Sequence, residues 1–189
     1  MRPFPNPRKA KARLLEEFSN KRILDLNNFQ KSFSQSKQSQ ASSSTEEPAF
    51  RDIHSLPWPI KDNSFDLVIC QNILAYAPNT AKTLEELNRI TSPGGKIYIE
   101  TPHYTCFDAH RNNDNCHKFS HGSFDYFLKG NSYYNTDFLL EEKYLFFDDL
   151  SFLLGIGFIA NLFPRFYETR LSFIFPATSL QITVCVDKS

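Results

Sequence analysis

Glycine is scarce in this 189-residue chain, and its distribution is uneven. The sequence contains six glycines, and the first of them is Gly94. A loop that brings backbone N–H groups against a phosphate or a ribose usually needs glycine, because a side chain would block the close approach. The first half of the chain therefore contains neither a P-loop nor an ordinary G-x-G-x-x-G dinucleotide loop.

An excess of charge of either sign is also missing. Lys plus Arg and Asp plus Glu number 21 each, so the formal net charge is zero. Because nucleic-acid-binding proteins usually carry a basic excess, we expect no nucleic-acid partner. Apolar residues make up 41% of the chain, which is enough for a packed core and excludes a wholly disordered protein. The length favours a single domain over residues 1–189.

Long apolar runs and a disulfide framework are absent as well. No apolar run reaches the roughly 18 residues that a membrane-spanning helix needs. The basic residues at the start are not followed by the apolar stretch of a signal peptide. Four cysteines are too few for a disulfide scaffold in a chain of this length. We therefore expect a cytoplasmic protein with free thiols and no membrane span, and the sequence leaves its oligomeric state open.

Strand and helix patterns alternate along the middle of the chain. The apolar run Phe65–Cys70 predicts a strand that is buried on both faces. The spacing over Thr80–Ile90 predicts a helix that is capped by Asn79 or by Thr80 itself. A Pro-Gly-Gly turn and a predicted strand at Lys96–Glu100 follow. Because strand, helix, turn and strand make a βαβ crossover, we expect a parallel sheet here.

The flanking regions are less regular. We predict a helix over residues 9–19, strands at 21–26, 49–53, 143–148 and 180–186, and apolar helices over 150–163 and after 166. Thirteen of the 19 phenylalanines fall in the C-terminal half. We expect them mainly to pack in the core, and the alternatives are an acceptor pocket or a partner surface.

Two polar segments interrupt these patterns. Residues 27–47 hold seven Ser and four Gln with few apolar anchors, which indicates a flexible low-complexity loop. Residues 102–131 form a polar, His-rich insertion that holds four of the five histidines. Cysteines and aspartates lie among these histidines, so a metal-binding module is one hypothesis. Because the spacing matches neither a zinc finger nor H-E-x-x-H, we expect no metal.

The residues from Asp52 to Thr101 resemble a known family. Asp52 precedes a Leu-Pro-Trp-Pro turn, Ser64-Phe65-Asp66 leads into the next strand, and the following helix ends at Pro-Gly-Gly. This run resembles the class I S-adenosylmethionine-dependent methyltransferases of the type 11 group. The similarity continues through the segment PHYTCFDAHRNNDNCHKFSHGSFDYF and the C-terminal residues, so that it covers about residues 21–187.

The resemblance implies an α/β fold with a Rossmann-like, mostly parallel sheet and an antiparallel C-terminal strand. It also implies S-adenosylmethionine as the cofactor, bound where open α/β sheets hold ligands, at the carboxyl ends of the first strands. The residues that match cofactor-binding positions of the family are Asp25, Asn27, Asp52, Ile53, Gln71 and Asn72.

Three departures from the family fall on positions that face the cofactor. The family reads D-x-G-x-G after its first strand, and this chain reads Asp25-Leu26-Asn27-Asn28-Phe29. The second strand and the acid that holds the ribose are replaced by the Ser/Gln segment, so we predict that this strand is eroded or missing. Where the family has Leu-Glu-His after the fourth strand, this chain has Leu74-Ala75-Tyr76.

Three residues of the His-rich insertion match signature positions of the resembled subgroup: His103, Asp114 and His117. Methyl transfer to oxygen or nitrogen needs a base or a deprotonated nucleophile, and histidine titrates near neutral pH. These three residues are therefore the candidate catalytic residues. The alternative is structural, with His117 and Asp114 bonded to each other to hold the loop.

Two functions of different class follow from these observations. The first is an S-adenosylmethionine-dependent methyltransferase that acts on a small or lipid-like acceptor. The second is a non-catalytic protein of the same fold that has lost its cofactor site and serves as a partner or regulatory subunit. Fold alone does not separate them, because function depends on the site.

Overall fold

The computed structural model of the protein describes residues 9–27, 56–111, 116–130, 134 and 136–188. Its helices are α1 (Ala10–Glu17), α2 (Thr80–Ile90), α3 (Asp108–Arg111), α4 (Asp149–Leu153), α5 (Ile156–Leu162) and α6 (Pro164–Arg170). Its strands are β1 (Ile23–Asp25), β2 (Phe65–Gln71), β3 (Thr91–Pro102), β4 (Phe138–Phe146) and β5 (Ser179–Val186).

These strands form one sheet in the order β1-β2-β3-β5-β4. β1, β2 and β3 are parallel neighbours, whereas β5 pairs antiparallel with both β3 and β4. The predicted α/β class is confirmed, with a mostly parallel sheet and an antiparallel C-terminal strand. Strand β4 begins at Phe138, several residues before the predicted start at residue 143.

The two faces of the sheet follow from the alternation of side chains along β2. Leu67 and Ile69 pack with Leu14 and Phe18 of α1 on one face. Val68 and Cys70 join the larger core on the other face, and α2 contributes Leu84, Leu87 and Ile90 to that core. Because neighbouring side chains of a strand point to opposite faces, the apolar run of β2 needs a cover on both sides.

Helix α2 matches the sequence prediction, whereas the Pro-Gly-Gly segment, predicted as a turn before the next strand, lies inside β3 at a shift in the β2–β3 register. The Asn79 side chain caps α2 by accepting a hydrogen bond from the Lys82 N–H at 3.1 Å. Gly94 adopts φ +75°, which side chains disfavour. A Cβ on Gly95 would lie 2.8 Å from the Ser92 carbonyl oxygen, so this segment requires both glycines.

The segment between β4 and β5 departs from the sequence prediction. We expected its aromatic and aliphatic residues to pack in the core, but many of them are exposed on α4, α5, α6 and the turn that follows. The exposed apolar face consists of Leu150, Leu153, Leu154, Phe158, Ile159, Leu162, Phe163, Phe166, Phe173 and Ile174. The helices are short and lie on one side of the sheet edge, so they present more apolar area than the core covers.

Several predictions fall on residues outside the described ranges: the low-complexity loop over most of 27–47, the eroded second strand and the strand at 49–53. Among the helices that are described, none combines the length and the apolar character needed to cross a membrane.

Candidate functional site

A cavity of about 940 Å³ opens at the carboxyl edge of the parallel strands. It is lined by residues from α1, from the ends of β2 and β3, from the segment through α3 and from the start of β5. These residues are Lys11, Gln71, Asn72, Tyr76, Tyr98, Glu100, Pro102, Cys106, Asp108, Arg111, Phe146, Thr178, Ser179 and Gln181. This edge is where open α/β sheets bind their ligands.

Strand alternation places three polar side chains on the floor of this edge. Each polar residue follows, by two positions, an apolar residue that packs on the α1 side of the sheet: Asp25 follows Ile23, Gln71 follows Ile69 and Glu100 follows Tyr98. Residues two apart on a strand point to the same face. Gln71 is level with Glu100 in the β2–β3 register, and Glu100 is level with Gln181 in the β3–β5 register. A polar row therefore crosses the sheet where the apolar layer ends.

Asp25 lies beside the Gln71 end of this row, level with Ile69 in the β1–β2 register and outside the cavity lining, and a cation neutralises it. The Lys11 ammonium lies 3.1 Å from the Asp25 Oδ2, and the side chains are 30% and 21% exposed. The Asn27 backbone N–H donates to the Asp25 Oδ1 at 3.0 Å. Lys11 reaches this point because Leu14 and Phe18, one and two turns later on the same helix face, dock on the sheet.

Gln71 links the Lys11–Asp25 ion pair to Glu100. Its Oε1 accepts hydrogen bonds from the Lys11 ammonium at 2.6 Å and from the Asn27 amide at 3.0 Å. Its Nε2 donates to the Glu100 Oε2 at 2.6 Å. Donors on one side and a carboxylate on the other fix the orientation of the amide.

At the other end, Glu100 is surrounded by neutral donors. Its Oε2 accepts from Gln71 and, at 3.2 Å, from the Tyr98 hydroxyl. Its Oε1 accepts from Ser179 at 3.4 Å and from the Gln181 amide at 3.3 Å. Burial, with the Glu100 charge second, raises the pKa of Tyr98, so the phenol stays protonated and donates. In the described part of the chain, no cationic side chain forms an ion pair with Glu100.

Gln181 carries an unsatisfied atom beside this carboxylate. The residue is 7% exposed, and its buried Oε1 has no hydrogen-bond partner among the residues that the structure describes. A buried acceptor left unpaired costs about 1–3 kcal/mol, so a ligand or a water that donates to it is favoured here.

The predicted cofactor-binding residues divide into three groups. Asp25, Asn27 and Gln71 are joined by hydrogen bonds. Asn72 follows at the cavity rim with a φ of 57°, and its N–H donates to the Glu100 carbonyl oxygen at 2.7 Å. Asp52 and Ile53 lie outside the described residues.

His103, predicted as catalytic, is fully buried and is not part of the cavity lining. Its Nδ1 lies 2.7 Å from the Thr105 hydroxyl and its Nε2 lies 3.3 Å from the Glu168 carboxylate. Burial lowers the pKa of His103 and outweighs the opposite effect of Glu168. The ring thus ties the chain after β3 to α6, and its catalytic role stays a prediction.

His117 lies elsewhere. It lines a second cavity of about 410 Å³ beside Asn79 and Thr80 at the start of α2, and its buried Nε2 has no partner. Asp114 lies outside the described residues, so its predicted bond with His117 stays untested. Among the residues that the structure does describe, no cluster of three or more His, Cys, Asp or Glu side chains is arranged to hold a metal ion.

Three residues of the site were not predicted from the sequence: Lys11, Glu100 and Gln181. A signal existed for Glu100, since it ends an apolar strand just as Gln71 does. Lys11 had no comparable signal, because its position depends on how α1 packs against the sheet. Gln181 had none either, because its place in the polar row depends on the register of β5.

Comparison with known proteins also points to a methyltransferase. The family model described as "Methyltransferase domain" matches residues 14–136. Among solved structures, YcgJ from Bacillus subtilis is 16% identical, with 84% of this chain and 77% of that chain covered and a TM-score of 0.48. An S-adenosylmethionine-dependent methyltransferase from Mesorhizobium loti is 16% identical, with 87% and 90% covered and a TM-score of 0.46.

A third similar structure is the complex between the Haloferax volcanii Trm112 methyltransferase activator and the putative methyltransferase. Its identity is 20%, its TM-score is 0.47, and 72% of this chain and 59% of that chain are covered. This chain therefore spans less than two thirds of that relative's length. No curated protein matches the sequence.

Proposed function

Because the chain belongs to the methyltransferase domain family, whose model covers residues 14–136, we propose that it transfers a methyl group from S-adenosylmethionine to a small acceptor in the carboxyl-edge cavity. The single observation that carries this proposal is the hydrogen-bonded group of Lys11, Asp25 and Gln71 at the ends of β1 and β2. The family's cofactor is held at this edge, and the departures from the family pattern leave this polar group intact.

The residues at the Asp25 end fit the methionine part of the cofactor. That part is a zwitterion, with an α-ammonium and an α-carboxylate. Asp25 offers a carboxylate and Lys11 offers an ammonium, and the two lie 3.1 Å apart. Oppositely charged groups on the protein complement a zwitterion and fix its orientation. When bound, S-adenosylmethionine supplies an electrophilic methyl group.

The remaining cavity residues orient the acceptor. Glu100, Tyr98 and Gln181 lie on the β3–β5 side, away from Asp25 and beyond Gln71 in the strand order. An acceptor held there is kept next to the Asp25 end, which gives the reaction its proximity. The protein's contribution is thus to bind and align two molecules on adjacent parts of one floor.

The test is isothermal titration of S-adenosylhomocysteine into the wild-type protein, Asp25→Asn and Lys82→Met. Lys82 is exposed on α2 and lies outside the cavity lining, so it is the matched surface control. We expect micromolar binding to the wild type and to Lys82→Met. For Asp25→Asn we expect affinity lower by about tenfold or more, since hydrogen bonds to charged groups contribute about 1.5–3 kcal/mol.

The product is the probe because it binds without turning over. If circular dichroism shows a folded protein and no heat is released up to millimolar S-adenosylhomocysteine, the proposed activity is wrong for the isolated chain. Equal affinities of the wild type and Asp25→Asn would instead place the ligand elsewhere.

A non-catalytic role as a partner or regulatory subunit is the second candidate, and the exposed apolar face defined above favours it. Leu153 and Phe173 on this face are 82% and 83% exposed. Large exposed apolar patches mark interaction sites in soluble proteins, and the number of exposed apolar residues on these helices and the following turn favours such a patch. Absence of ligand binding by the folded protein is the outcome that this second function requires.

A further inference from the structure

We infer that the acceptor of this enzyme is an amine that binds in its positively charged form, with Glu100 as the residue that selects it. This inference rests on the proposed methyl transfer and names the substrate class of the same cavity. It concerns the β3–β5 half of the floor, where Glu100, Tyr98 and Gln181 lie.

The first argument is charge. Among the described residues, four groups donate to the Glu100 carboxylate and all are neutral: the Gln71 and Gln181 amides and the Tyr98 and Ser179 hydroxyls. They hold the carboxylate in place without cancelling its charge. Asp25, by contrast, has Lys11 at 3.1 Å. A partly buried carboxylate with its charge uncancelled attracts a cation more strongly than one exposed to bulk water.

The second argument is the surrounding surface. Tyr76, Tyr98 and Phe146 line the same cavity, as do the cations Lys11 and Arg111, and the Tyr98 hydroxyl lies 3.2 Å from the Glu100 carboxylate. Aromatic faces attract ammonium groups and pack against apolar bodies. A carboxylate that shares a cavity with three aromatic rings therefore suits an amine with an apolar body better than it suits an alcohol or an acid.

The third argument is the unsatisfied Oε1 of Gln181, which is buried beside the carboxylate. An ammonium has three N–H donors, so it can satisfy Glu100 and a neighbouring acceptor together. A carboxylate ligand has no donor to offer either group. For transfer, the bound ammonium first loses one proton to water, which leaves the N–H electron pair on nitrogen. That pair forms the N–C bond as the S–C bond breaks, and the S–C electron pair stays on sulfur.

A positively charged ligand group has two sources here, since the sulfonium of the cofactor is also a cation. The two are separated by using one probe for each. Phenethylamine represents the acceptor ammonium, and 2-phenylethanol is its neutral counterpart. S-adenosylmethionine and S-adenosylhomocysteine differ in the sulfonium charge.

The experiment is an NMR-monitored titration of phenethylamine and 2-phenylethanol into the wild type, Glu100→Gln and Glu85→Gln, each with and without saturating S-adenosylhomocysteine. Glu85 is an exposed carboxylate on α2 and serves as the matched control. We expect the wild type and Glu85→Gln to prefer the amine by about tenfold or more. In Glu100→Gln we expect the preference to fall below about threefold.

An equal affinity for amine and alcohol in the wild type overturns the inference, and this comparison needs no variant to fold. An amine preference that persists in Glu100→Gln overturns the assignment to Glu100. If Glu100→Gln weakens S-adenosylmethionine about tenfold more than S-adenosylhomocysteine while the amine shows no preference, the carboxylate serves the sulfonium and the inference is wrong.

The proposed function fails separately. Binding of S-adenosylhomocysteine without an amine preference leaves methyl transfer standing and removes the amine. An amine preference without S-adenosylhomocysteine binding retains a cation site at Glu100 and removes methyl transfer.

Discussion

Two carboxylates at the carboxyl edge of the parallel strands lie in different surroundings. Asp25 lies against an ammonium from α1, whereas Glu100 lies among two amides and two hydroxyls. The first carboxylate is part of a closed ion pair, and the second keeps its charge available to a ligand. The neighbouring groups determine which ligand charge a carboxylate attracts. In the proposed arrangement, the Asp25 end therefore suits a zwitterion and the Glu100 end suits a cation.

Gln71 forms hydrogen bonds toward both carboxylates, so its replacement should have the largest effect on the difference between their surroundings. Gln71→Leu leaves Lys11, Asn27 and Glu100 without a shared partner. We expect the free energy of unfolding to fall by about 3 kcal/mol, because partly buried polar groups lose their hydrogen bonds together. Urea denaturation measures it, with the exposed Lys82→Met as control. A loss within about 0.5 kcal/mol of the control would mean that the two ends are independent.

Lys11→Met tests whether the ion pair defines the cofactor end. We expect S-adenosylhomocysteine to bind about tenfold more weakly, because the ligand's α-carboxylate loses its only charged partner in the proposed arrangement. Titration calorimetry measures the change, and Lys82→Met is the surface control. Tighter binding by Lys11→Met would show that Lys11 competes with the ligand for Asp25 and would reverse the assigned role.

Acid should lower the stability of the fold around His121. Burial, followed by the charge of Lys143, lowers the pKa of His121 to about 4. The unfolded chain, with a pKa near 6.5, therefore takes up this proton first as the pH falls. We expect the His121 contribution to cost about 1 kcal/mol of stability between pH 7 and pH 5, after allowance for partial exposure.

Urea denaturation at the two pH values measures this loss for the wild type and for His121→Asn. The variant should show a shallower decline on the acid side, and the exposed His110→Asn provides the reference. Identical slopes for wild type and His121→Asn would contradict the assignment of the acid sensitivity to His121.

The smallest expected effect is that of Glu100→Gln on the affinity for S-adenosylhomocysteine. Because S-adenosylhomocysteine has no sulfonium charge, we expect the variant to change its affinity by less than about threefold. The same titration that tests Asp25→Asn measures this value. A tenfold loss would place the ligand across both ends of the floor and remove the distinction between them.

Much of the fold was predictable because it depends on local patterns. The boundaries of α2, its Asn79 cap and the burial of β2 follow from periodicity and capping, which act within a few residues. The parallel βαβ unit follows from the order of elements. The exposed apolar face was mispredicted, because the apolar character of residues 150–174 does not say which neighbours cover them.

The sequence by itself placed Asp25 and Gln71 at or just after predicted apolar strands, and its resemblance to the methyltransferases placed both at one edge of the sheet. Only the tertiary structure decided what those side chains contact. Lys11 reaches Asp25 through the docking of α1, and Gln181 reaches Glu100 through the register of β5. Local propensity acts over a few residues, whereas the charge environment of a carboxylate depends on residues more than ten or even eighty positions away, which only packing brings together.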